Sequence, residues 1–234
     1  MSRFTRTMLC AAALVLCLAV LPLVSMGQQA TVDSQGRSIT TVPAKASTPS
    51  SNVVKPDHAN DELTTVIYSN FGHGDSYYCC AGWTESGADS RTVGEPWLQA
   101  MAFTPTRGDY LLLQIDLAIG YLEGTEGFTL ELRADDGGQP GWTIASWDVR
   151  RMPTFGSSYG VETIDAFPSF VELYKGNQYW LVPIVNYSNE WAAWNENSLS
   201  AKGLGAYSHD GGITWTTKNY SPNSAFDVLG LKLD

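Results

Sequence analysis

Trp191 and Trp194 stand three positions apart in the polar run Asn186-Tyr187-Ser188-Asn189-Glu190-Trp191-Ala192-Ala193-Trp194-Asn195. An indole face stacks on the apolar face of a sugar ring while neighbouring amides bond its hydroxyls. Trp191 and Trp194, with Asn186, Asn189 and Asn195, are therefore the candidate ligand-binding residues, and a polysaccharide or cell-surface glycan is the candidate partner. Core filling is the competing role for any tryptophan. Trp97, Trp147 and Trp180 lie within strand patterns and are expected in the core.

Two turn-forming runs carry carboxylates. Asp135-Asp136-Gly137-Gly138-Gln139-Pro140-Gly141 places two acidic side chains on a flexible turn, an oxygen-rich setting of the kind a structural calcium ion takes, so Asp135 and Asp136 are the candidate metal ligands. Both residues are also ordinary turn formers, and no other cofactor is implied. Ser208-His209-Asp210-Gly211-Gly212-Ile213-Thr214-Trp215 fits the Asp-box pattern. Asp210 can cap turn amides, Gly212 can take positive φ, and Trp215 can pack over the hairpin. The box marks a hairpin and says little about activity. A propeller would need it to recur, and the chain holds one copy.

Of four cysteines, Cys10 and Cys17 fall in an N-terminal apolar run, which leaves the neighbours Cys79 and Cys80. Two thiols in an oxidising compartment normally pair. Adjacent Cα atoms about 3.8 Å apart are closer than the roughly 4.4 to 6.8 Å of most disulfides, so a vicinal disulfide and two free buried thiols both stay open. No Gly-x-Ser-x-Gly, HExxH or phosphate loop is present. Acidic pairs such as Glu123 and Glu126 would serve a glycosidase only if they flanked a scissile bond. Surface carboxylates account for them, and the protein is expected not to be an enzyme.

The elements that must position these residues have a period of two. Leu113, Ile115, Leu117 and Ile119 alternate with Leu112, Gln114, Asp116 and Ala118, and Phe128, Leu130 and Leu132 alternate with Thr129, Glu131 and Arg133. Similar runs recur at 63–69, 98–104, 142–149, 160–164, 179–185, 206–208, 214–218 and 225–232, with Gly, Pro, Asn or Asp between them. Short alternating strands with no room for crossover helices predict an all-β, antiparallel β-sandwich of jelly-roll type, a single domain over residues 62–234.

Ahead of that domain, residues 2–7 are short and basic, 8–24 are almost unbroken apolar, and Ser25-Met26-Gly27 supplies small residues before Gln28. This is the pattern of a signal peptide, residues 1–27, removed ahead of Gln28. Residues 28–61 hold Ser, Thr, Pro, Gln and Lys without an aromatic residue, and predict a flexible, disordered linker. No second long apolar stretch follows, so no membrane span is expected in the mature chain. Of the 234 residues 44% are hydrophobic and 16% charged, enough for a packed core. Losing Arg3 and Arg6 with the leader takes the formal net charge from −10 to −12, which argues against nucleic acid as a partner.

Gln99-Ala100-Met101-Ala102-Phe103-Thr104, the run from Leu130 to Gly141, Gln178-Tyr179-Trp180-Leu181-Val182, and Asp210-Gly211-Gly212 with Trp215 together resemble the choice-of-anchor R type domain of bacterial extracellular proteins, over roughly residues 66–233. The resemblance implies a secreted or surface-displayed β-sandwich with no assigned reaction and no catalytic residues to carry over. The chain departs from anchored members by ending at Leu233-Asp234 without a sorting motif, apolar span or basic tail, which favours release. The expected function is thus a secreted, non-catalytic glycan-binding or adhesive module, extracellular or else periplasmic. A structural envelope or matrix protein is the first alternative and a glycoside hydrolase the second.

Overall fold

Ile115, Leu117 and Ile119 are fully buried, as their alternation requires, but Leu112 rather than Leu113 continues the inward row. Opposite them the register shifts between Leu229 and Gly230, which face Gln114 and Leu112, so Leu113 is the extra residue of a bulge. A bulge inserts one residue and turns the strand beyond it by one place.

The computed structural model describes residues 30–40, 64–157 and 160–234. The expected signal peptide and its cleavage point lie outside them, as does most of the expected linker. The described residues contain no helix and form sixteen strands: β1 (Ala30–Val32), β2 (Arg37–Thr40), β3 (Thr64–Ser69), β4 (Tyr77–Ser86), β5 (Leu98–Phe103), β6 (Tyr110–Leu117), β7 (Ile119–Glu123), β8 (Phe128–Asp135), β9 (Pro140–Val149), β10 (Glu162–Asp165), β11 (Glu172–Leu173), β12 (Tyr179–Val185), β13 (Trp191–Asn197), β14 (Gly203–Ser208), β15 (Thr216–Tyr220) and β16 (Phe226–Lys232).

They make three antiparallel sheets, in the orders β1-β2-β4-β13-β7, β10-β6-β16-β3 with β11 also on β6, and β15-β14-β5-β12-β8-β9. The first two are stitched together where β6 runs on into β7. Ala118 N donates to Ala225 O, Asn195 N to Ala118 O and Ala225 N to Asn195 O. Packing of the sheets encloses one main core that includes Leu112, Ile115, Leu130, Leu132, Leu181, Trp194 and Phe226. This is the expected β-sandwich. Among the described residues no helix is long and apolar enough to cross a membrane.

Two expectations need correction. The first is the linker: within 28–61, residues 30–40 form the β1–β2 hairpin, and β2 extends the first sheet by pairing with Ala81–Trp83 of β4. Polar contacts dock it. The Arg37 guanidinium forks onto both oxygens of the buried Glu196, with Nη2 2.7 Å from Oε2, and Ser38 Oγ lies 2.7 Å from Thr84 Oγ1. Gly36 has φ +76°, and a Cβ there would fall 2.3 Å from the Trp97 ring, so only glycine lets the turn approach. A count of apolar residues is blind to docking of this kind.

The second is β4 and β13, which sequence periodicity leaves as loops. Every residue of β13 is buried, as are the last six of β4. Strands covered on both faces have no polar-out alternation. Here Thr84, Glu85, Ser86, Asn195, Glu196 and Asn197 make the pair look like a surface loop.

Candidate functional site

Trp191 and Trp194 are 2% and 0% exposed, neighbours of β4 and β7 in the middle of the first sheet, so they are no platform. Trp194 Nε1 donates to Ala225 O at 2.9 Å and Trp191 Nε1 to Ser38 Oγ at 3.1 Å. Asn195 is also buried, its amide bonding the carbonyls of Tyr78 and Cys79. Asn186 and Asn189 are exposed, but they face Thr129 and Thr125 and are not brought together with the tryptophans. Trp191, Trp194 and Asn195 are structural because a buried strand, rather than a loop, carries them, and the five candidates do not form one exposed site.

The carbonyls held by Asn195 mark the place of the cysteines. Cys79 and Cys80 form a vicinal disulfide, in the part of β4 where the register opposite Asn195 and Glu196 jumps from Gly82 to Tyr78. The irregular backbone that a bond between chain neighbours needs is thus supplied by a bulge.

Asp135 and Asp136 sit in the β8–β9 hairpin. Asp136 N donates to Gln139 O, and Gly137 and Gly138 have φ of +64° and +87°. The Asp135 carboxylate accepts three donors: Gly138 N at 3.0 Å, Gln178 Nε2 at 2.5 Å and Trp180 Nε1 at 2.8 Å. Among the described residues no group of three or more His, Cys, Asp or Glu side chains is placed to hold a metal ion. The pair forms the turn of this hairpin, with Asp135 tied to the buried Trp180. The Asp box is a tight hairpin too. Asp210 accepts Ser208 Oγ, Ile213 N, Thr214 N and Thr214 Oγ1, and these bonds hold its carboxyl well below the usual range.

Beside Asp135 lies a feature that the sequence did not disclose. A cleft of about 600 Å³ opens between the β8–β9 hairpin and the 174–178 loop, lined by the exposed rings of Trp142 and Tyr174 and by the buried Tyr179. Trp142 is 69% exposed and Tyr174 48%. Asp135, Glu172, Asn177 and Gln178 supply polar groups around them. Register shifts on either side of Arg133 bend the end of the edge strand β9, a device that re-aims side chains, and Trp142 stands at that bend.

Tyr174 is held from two sides. Its N–H donates to Tyr179 Oη at 2.9 Å and its hydroxyl to Glu172 Oε2 at 2.7 Å, a bond to an anion that raises the phenol pKa. The loop is fixed by Gly176 N on Pro105 O and by Lys175 N on Asp109 Oδ1. Two rings with amides and carboxylates beside them can stack on a ring-shaped ligand and bond its hydroxyls. The chain matches no protein-family model, no curated protein and no solved structure. The cleft has to be read from its own chemistry.

Other carboxylates are distributed differently. Glu123 accepts the N–H and hydroxyl of Thr92 and has a lowered pKa. Burial raises Glu162 and Glu190 to about 7, with Glu126 nearby adding to both. Glu85, wholly buried beside the Gln99 amide, is raised well above the usual value. These groups lie apart from the Trp142 cleft, and each is explained by its own surroundings.

Proposed function

We propose that this protein is a non-catalytic glycan-binding module and that the Trp142–Tyr174 cleft is its binding site. The observation that carries the reading is the exposure of Trp142. A large indole left in water at a bend of an edge strand, with a fixed tyrosine and a carboxylate beside it, is poor for folding and good for stacking. The cleft is shaped before any ligand arrives, which lowers the entropy lost on binding. A non-catalytic role is supported by the duty each cleft carboxylate already has in holding the protein's own rings, Asp135 the Trp180 indole and Glu172 the Tyr174 hydroxyl. The signal-peptide pattern of residues 1–27, an expectation of the sequence, would be in keeping with the same reading.

The test is a glycan-array screen of the protein beside its Trp142→Ala variant. Each stacked ring should contribute on the order of 1 kcal/mol. Glycans retained by the parent and lost by the variant support the site; equal retention overturns it. An adhesive reading is favoured by one separate observation, the edge-on pair of Phe167 and Phe170, both exposed on the loop between β10 and β11. Loss of surface attachment in Phe170→Ser, with glycan binding intact, would favour that role.

A further inference from the structure

We propose that the Trp142–Tyr174 cleft is selective for glycans bearing free amino groups, of the deacetylated hexosamine type, and rejects uronate and sulfated polymers. This rests on the glycan-binding reading above. The charged side chains that line the cleft are Asp135 and Glu172, both acidic, and neither Lys nor Arg lines it. Lys175 belongs to the same loop but is not part of the lining.

Neither cleft carboxylate is saturated. Asp135 Oδ1 receives Gln178 and Trp180, whereas Oδ2 receives the Gly138 amide alone, and Glu172 is bound through Oε2 by Tyr174. An ionised carboxylate oxygen has room for about two donors, so Asp135 Oδ2 and Glu172 Oε1 keep acceptor capacity. An ammonium group offers three donors and no lone pair, and it is also drawn to the faces of indole and phenol rings. The cleft combines both partners of such a group, exposed rings and carboxylate oxygens. A uronate or sulfate would bring anionic oxygens to the same oxygens. Placing like charges together in a partly desolvated site is unfavourable. The whole chain pushes in the same direction, because its formal net charge of −10 attracts a cationic polymer and repels an anionic one.

The experiment compares three oligosaccharides of matched length against the intact protein by titration calorimetry: a β-1,4-glucan, the corresponding polymer of free glucosamine, and polygalacturonate. The expected result is that the glucosamine polymer binds about tenfold more tightly than the neutral glucan and that polygalacturonate gives no heat. Raising the salt should shrink that preference while sparing the neutral ligand. Glu172→Gln should lower the ratio of amino-polymer affinity to neutral-glucan affinity. Glu172→Asp should restore part of it. Equal affinity for the neutral and amino polymers, or binding of polygalacturonate, overturns the selectivity and leaves the glycan site standing. Binding of none of the three, or binding that Trp142→Ala leaves unchanged, overturns the site and the selectivity together.

Discussion

The indole N–H of Trp180, a fully buried residue of β12, donates to Oδ1 of Asp135 at the exposed edge of the cleft, across 2.8 Å. A core side chain thereby sets the position of a surface carboxylate. Asp135→Ala should leave the buried donor without an acceptor and cost about 1 to 3 kcal/mol of stability in urea unfolding. Asp135→Asn, which keeps an oxygen there, should cost less. An Asp135→Ala variant as stable as the parent would show that the bond to Trp180 contributes nothing.

The two sets of tryptophans should separate cleanly on mutation. Trp194→Ala empties a filled core site and should destabilise by about 3 to 5 kcal/mol. Trp142→Ala, mostly in water already, should change stability by less than about 1 kcal/mol. Denaturant midpoints of the two variants check this. A large loss at Trp142 would mean that it packs after all.

Arg37→Ala should strand the Glu196 carboxylate, whose side chain is 2% exposed. Breaking a buried pair costs about 3 to 5 kcal/mol, and the partly exposed arginine places this one at the lower end. Deleting residues 30–40 should lower the melting temperature for the same reason. An unchanged melting temperature in both proteins would return the segment to the status of a dispensable linker.

Stability should decline between pH 5 and 8. In the fold Glu162 and Glu190 are raised from 4.5 to about 7, chiefly by burial, and Glu85 is raised by burial as well. An acid whose folded pKa lies above its unfolded one favours the fold in its protonated form. Its contribution is complete below about 4.5 and is lost as the pH climbs through 7. The lowered carboxyls, Glu123 and Asp210, act below that window. Thermal melts of the parent and of Glu190→Gln across this range give the comparison, and the variant should show a flatter profile. A parent that is no less stable at pH 8 than at pH 5 would contradict the assignment.

Reducing the Cys79–Cys80 bond with a dithiol, which is itself oxidised to a disulfide, should add two hydrogen atoms to the mass and shift the denaturant midpoint little. The bond joins residues with a sequence separation of 1, so it closes almost no loop and removes almost no entropy from the unfolded chain. A large shift would point to a role for the bond in holding the β4 bulge.

What could be read from the sequence followed the physics of each strand. Alternation located β6 and β8, because one face of each meets the core and the other carries more polar groups. It failed at β13, where Trp191 to Asn197 are buried on both faces and asparagine and glutamate are satisfied by bonds to distant strands. That failure also misplaced the site, since polar neighbours made Trp191 and Trp194 look exposed. Trp142 escaped notice for the opposite reason. Pro140 and Gly141 flagged the turn, but the register shifts that leave the next residue in water arise from pairing with β8 and have no local signature.

The clasp between Arg37 and Glu196 spans 159 positions of the chain. A polypeptide that emerges N-terminus first shows this hairpin well before the glutamate that fastens it. Until then Arg37 has no partner, and contacts between such distant positions are the slowest to form. The earliest strands of the described residues are therefore among the last to be secured, and Glu196 acts as the latch that holds them in place.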